Sequence, residues 1–95
     1  MRLREDIAAF IKSELKKIDP HSEVYLFGSR ADDKAKGGDI DILWLTDKKI
    51  PNYKVRKLKI CFYKKFGWQK LDIVNITFQE DDVFKKIAMQ NAVEL

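Results

Sequence analysis

The chain of 95 residues reads as a small α/β domain, a mixed β-sheet flanked by helices in the order α-β-β-α-β-α. Three observations carry that reading. A stripe of apolar residues at intervals of three and four opens the chain. Short β-type runs bounded by turn residues follow it, and further helix-period segments alternate with those runs. Hydrophobic residues make up 45% and aromatics 12%, enough apolar surface for a core and too much for a disordered chain. One domain over residues 1–95 accommodates all of it, since single cores occupy roughly 50–200 residues.

Leu3, Ile7, Phe10, Ile11, Leu15 and Ile18 form one face of the first helix. Asp19-Pro20-His21-Ser22 ends it, because the residue before a proline avoids the helical region. His21, the only histidine, reads as a solvated turn residue. Val24-Tyr25-Leu26-Phe27 is a short strand that stops at Gly28, and a polar stretch covers residues 29–38. The second strand is expected over 39–45, where polar and apolar residues alternate at first. Pro51 suits the first turn of a helix expected to reach Lys65, with Tyr53, Leu58, Cys61 and Phe62 inward, and Gly67 stops it. Residues 68–76 contain the third strand, centred on 71–76. The last helix is expected from about Gln79 to Gln90, with Val83, Phe84, Ile87 and Ala88 inward and Asp81 and Asp82 in its first turn.

Nineteen basic against fifteen acidic residues give a net charge of +4 and a pI near 9.2. That modest excess favours polyanionic ligands such as nucleotides or nucleic acid. Lysines occur in every segment, which fits a solvated surface better than a dedicated nucleic-acid patch, so direct nucleic-acid binding is not expected. Cys61 is alone, which leaves no intrachain disulfide and no cysteine-cluster metal site within these residues; in Ile60-Cys61-Phe62 it reads as a buried small hydrophobe. The first residues lack the apolar run of a signal peptide and no segment approaches membrane-spanning length, so a cytoplasmic protein is expected. The aromatics Tyr53, Phe62, Tyr63, Phe66 and Trp68 suit either an oligomer interface or a core edge.

Two aspartates stand out. Side chains alternate along Asp39-Ile40-Asp41-Ile42, so Asp39 and Asp41 share one face while Ile40 and Ile42 enter the core. Carboxylates at that spacing, about 6–7 Å apart at Cα, can share a divalent cation, and oxygen-only ligands select Mg²⁺ or Mn²⁺. Asp72 interrupts the apolar run Leu71-Asp72-Ile73-Val74. A buried, unpaired carboxylate there would be costly. Either the third strand lies beside the second and Asp72 joins the other two, or Asp72 faces solvent or pairs with a lysine such as Lys70. Phe27-Gly28-Ser29-Arg30 ends a strand in a way that offers backbone N–H groups, a hydroxyl and a guanidinium to a phosphate. It lacks the glycine spacing and Lys-Ser/Thr ending of a P-loop.

Taken together, Gly28-Ser29, nine residues, then Asp39-Ile40-Asp41 resembles the signature of the DNA polymerase β-type nucleotidyltransferase superfamily. Gly28-Ser29-Arg30-Ala31 and the small size resemble its minimal nucleotidyltransferase branch. The chain departs from that pattern at Asp32 and Asp33, where the family often has a glycine, and at Gly38, where it often has a serine. The resemblance implies a mixed-sheet α/β fold, with Mg²⁺ or Mn²⁺ held by Asp39, Asp41 and Asp72. Asp72 would be the base, and Gly28, Ser29 and Arg30 would lie at the phosphates of ATP. It implies further a partner, a HEPN-domain toxin that such a protein silences as its antitoxin, in some members by transferring AMP from ATP to a tyrosine. The rival is a non-catalytic module that neutralises its partner by contact. Phosphatases that use Asp-x-Asp place their apolar strand before the pair, whereas here it follows.

Overall fold

The computed structural model describes residues 3–32 and 38–95. Half of the polar stretch, residues 33–37 with Asp33, lies outside the described residues.

Helix α1 (Glu5–Ile18) buries Ile7, Ile11 and Leu15, the expected stripe. Glu5 and Asp6 in its first turn and Lys16 and Lys17 in its last oppose the helix dipole. The chain turns at Asp19, whose carboxylate accepts from the backbone N–H of exposed His21 at 3.0 Å. Strand β1 (Glu23–Phe27) leads through a single 3₁₀ turn, Gly28–Ala31, towards β2 (Ile40–Thr46). Helix α2 (Asn52–Phe66) then returns along the sheet, and Gly67, whose N–H bonds to the Tyr63 carbonyl at 2.9 Å, ends it. Strand β3 (Leu71–Thr77), helix α3 (Val83–Met89) and the two-residue strand β4 (Val93–Glu94) complete the chain.

The sheet runs β3-β2-β1-β4. β1 pairs antiparallel with both β2 and β4, while β2 and β3 are parallel, so the sheet is mixed as expected. A parallel pair needs a crossover of a dozen or more residues, and α2 supplies it. One face of the sheet carries Val24, Leu26, Ile40, Ile42, Trp44 and Leu71 against the buried residues of α1 and α2. The other carries Leu43, Leu45 and Ile76 beneath Ala88 of α3. Among the described residues, no helix is long and apolar enough to cross a membrane.

Several expectations need correction. In α2, Leu58 and Phe62 are buried, but Tyr53 and Cys61 are exposed. The core-facing line of α2 runs through Val55, Leu58, Phe62 and Phe66. Cys61, one residue from Phe62, is rotated about 100° off that line. Helix α3 is shorter than expected: Asp82 is its N-cap, accepting from the Lys85 N–H at 3.0 Å, and Thr77 and Glu80 close a turn before it. Of its four expected inward residues only Ala88 is buried, while Val83, Phe84 and Ile87 are left exposed. Strand β4 was not expected; two residues carry no periodicity to read.

Asn75, a polar residue inside β3, is 8% exposed and fully used. Its Oδ1 accepts from the Ile50 N–H at 2.8 Å, and its Nδ2 donates to the Trp44 carbonyl at 3.1 Å and to Thr46 Oγ1 at 2.9 Å. It thereby ties the loop before α2 to the far end of β2.

Candidate active site

The parallel register places Asp41 directly beside Asp72, and the antiparallel register places Phe27 on the other side of Asp41. Cross-strand partners share a face, so Phe27, Asp41 and Asp72 form a row across three strands, on the face opposite α1 and α2. Neighbouring strands lie about 4.8 Å apart, which brings the two carboxylates within reach of one cation. Helix α3 covers the later residues of β2 and β3, Leu43, Leu45 and Ile76, and leaves the Asp41 end of that face half-buried. The alternation read from the sequence holds: Ile40 and Ile42 are wholly buried on the opposite face.

Gly28 completes the row's edge. Its φ is +73°, in the left-handed region, and a Cβ there would stand 2.5 Å from Asp41 Oδ2. The glycine is needed twice, for the turn and for the close approach of main chain to carboxylate. Burial, then the charges of Asp72 and Asp39, push the Asp41 carboxyl above its usual value, and Lys70 partly offsets them. Three carboxylates therefore sense one another around Asp41.

Asp39 is placed differently from expectation. It precedes β2, is exposed, and lies 3.5 Å from Lys70 Nζ. Lys70 thus pairs with Asp39 and not with Asp72, the neighbour weighed for it from sequence. Among the described residues, no three carboxylate, histidine or cysteine groups converge as a ready-made metal cage. The donor set still fits a hard divalent cation. All donors are oxygens, Asp41 and Asp72 stand side by side, and the anionic crowding that raises Asp41 is what a cation would relieve. Asp39 is held by an exposed ion pair, which costs little to break.

Ser29 and Arg30 sit in the 3₁₀ turn immediately after Gly28, both half-buried. Arg30 Nη2 donates to the Gly38 carbonyl at 2.9 Å, so this guanidinium braces the chain entering β2. Phe84 of α3 meets Phe27 edge-on at 5.6 Å. Sequence reasoning missed this pair, because Phe27 reads as an ordinary strand residue and Phe84 as core.

A glycine turn thus stands against paired strand aspartates, on a mixed sheet backed by two helices. The model of the polymerase β nucleotidyltransferase domain matches residues 6–95, and the chain belongs to that family. A crystal structure described as a candidate nucleotidyltransferase shares 24% identity, covers 93% of this chain and 96% of its own, and superposes with a TM-score of 0.63. A candidate nucleotidyltransferase from Sulfolobus solfataricus shares 25% identity over 94% of this chain and 76% of its own, with a TM-score of 0.59. Among curated proteins, none matches the chain.

Proposed function

We propose that this domain moves a nucleoside monophosphate, AMP from ATP, onto a hydroxyl of a partner protein. The observation that carries the reading is the Asp41–Asp72 pair in register at the open end of the sheet, with the Gly28 main chain against it. Asp39, Asp41 and Asp72 would hold Mg²⁺ or Mn²⁺. Once bound, the cation supplies charge for the triphosphate and lowers the pKa of the attacking hydroxyl. The main chain at Gly28 and Ser29 would hold the phosphates, and only a glycine lets them approach the Asp41 carboxylate so closely. The acceptor oxygen forms a bond to the α-phosphorus as the bond to the β-phosphate oxygen breaks. Pyrophosphate leaves, and Asp72 accepts the hydroxyl proton.

The resemblance of Gly28-Ser29-Arg30-Ala31 and Asp39-Ile40-Asp41 to minimal nucleotidyltransferases supports a HEPN-domain toxin as that partner, with this chain as its antitoxin. The contact-only reading has one observation in its favour, the engagement of Asp39 by Lys70. Incubation of the protein with a HEPN partner, Mg²⁺ and ATP labelled at the α-phosphate separates the two. Covalent label on the partner, lost in Asp41→Asn, is the expected result. Neutralisation of the partner without any label would refute transfer in favour of contact.

A further inference from the structure

The lysines occur in every segment, but the acids do not. Between Asp47 and Asp72 there is no acidic residue, while nine of the nineteen basic residues fall there; the remainder of the chain carries ten basic against fifteen acidic. The positive charge of the whole protein is therefore the charge of one stretch, and α2 is its centre. Lys54, Arg56, Lys57, Lys59, Lys64 and Lys65 all lie on α2. None of the six forms an ion pair with a described residue. At about 1.5 Å per residue, Lys54 to Lys65 make a cationic track roughly 17 Å long.

Two features along the track suit bases better than charges. Near its start, a groove of about 450 Å³ between α1 and α2 has Lys54, Lys57 and Tyr53, with Lys17 paired to Glu14 at 2.7 Å on its α1 side, around an apolar floor that includes Ile18 and Leu58. Just beyond its end stands Trp68, 75% exposed and packed on Tyr63 with ring centroids 4.9 Å apart. We propose that the outer face of α2, from this groove to Trp68, binds a single-stranded nucleic acid, its phosphates on the lysines and bases against Tyr53 and Trp68. Cationic grooves with interspersed aromatics are the common device for holding single strands.

The alternatives fit less well. A basic amphipathic helix binds membranes by inserting its apolar face, but Leu58 and Phe62 are buried against α1 and the sheet. Lysine is depleted at protein–protein interfaces, whereas it is a regular phosphate ligand. The far end of α2 leads through Lys70 to Leu71 and Asp72, so one end of the track lies at the carboxylate end of the sheet. The inference stands apart from the transfer chemistry and is tested by binding alone.

The test is fluorescence anisotropy of a labelled single-stranded oligonucleotide of roughly a dozen nucleotides, a length within the usual site sizes. Four to six phosphate contacts predict log K falling with log salt at a slope of about −3 to −4. The double variants Lys54→Gln/Lys57→Gln and Lys64→Gln/Lys65→Gln should each flatten that slope by roughly 1.4, two contacts' worth. Lys85→Gln/Lys86→Gln, on α3 across the sheet, should leave it unchanged. Trp68→Ala should weaken binding about tenfold. Glutamine keeps helix propensity, and circular dichroism verifies the fold of each variant. The proposal is overturned by absent binding at low salt, by an equal effect of the α3 pair, or by tighter binding to anionic vesicles or an acidic peptide.

Discussion

Replacing Gly28 by alanine tests the geometry of the site through a single methyl group. With φ at +73°, an L-residue there costs about 1–2 kcal/mol, because its Cβ crowds the following carbonyl. The same Cβ would lie 2.5 Å from Asp41 Oδ2, well inside contact distance, so the carboxylate must swing aside. Unfolding should therefore occur roughly 5–15 °C lower, as expected for that loss in a domain of this size. Mg²⁺-dependent ATP binding should fall at least about tenfold, because the methyl displaces a metal-ligand candidate. Gly67→Ala is the matched control. Gly67 has φ +82° and ψ 179°, a region only glycine occupies comfortably, but nothing lies within 4 Å of its absent Cβ. It should lose about 1–3 kcal/mol of stability and keep its nucleotide affinity. Thermal melts and calorimetry on both variants decide the matter. Gly28→Ala with unchanged melting and unchanged ATP affinity would refute the reasoning, as would equal loss of affinity in Gly67→Ala.

Other consequences follow from the same contacts. The raised Asp41 carboxyl means that the native state binds this proton more tightly than the unfolded chain does. Stability therefore falls as pH rises from the ordinary value of 3.8 through the raised one, then levels off. Asp41→Asn should remove that slope and leave the protein equally or slightly more stable near neutral pH, by less than about 1 kcal/mol because the group is half-exposed and screened. Urea titrations across the acid range should show the gain vanish below pH 3.8. Asn75→Ala should cost about 2–4 kcal/mol, since it takes the acceptor from the half-buried Ile50 N–H and the donor from the buried Thr46 oxygen, and opens a void. Chemical denaturation measures it, and a loss below about 0.5 kcal/mol would mean water replaces the amide.

What the sequence discloses is tied to period and punctuation. Ile40 and Ile42 alternate with aspartates and end up wholly buried on the opposite face, and Gly67 stops α2 at the expected place. Gly28 and Asp41 were each visible as candidates, but their contact was not, because only the antiparallel pairing of β1 with β2 brings them together. The site depends equally on the parallel β2–β3 pairing, which no local pattern encodes. Helix α3 misleads for a different reason. Val83, Phe84 and Ile87 look like a core stripe, yet the helix is short and buries only Ala88, with Phe84 left part-exposed edge-on to Phe27. Apolar spacing says that residues share a face, not that another layer covers it. Cys61 fails in the same way: its apolar neighbours in sequence point elsewhere on the helix. The partner of Asp39 was legible only as a choice among lysines, and Lys70 took it because the chain entering β3 runs beside the chain entering β2.

The central claim is that Asp41, Asp72 and Asp39 form, with Gly28, a metal-dependent nucleotide site. Calorimetric titration of ATP into the protein, with and without Mg²⁺, tests it most directly, repeated on the Asp39→Asn/Asp41→Asn variant. The account predicts binding that requires Mg²⁺ in the native protein and disappears in the folded variant. Binding of equal strength in the variant, or binding indifferent to Mg²⁺, would contradict it.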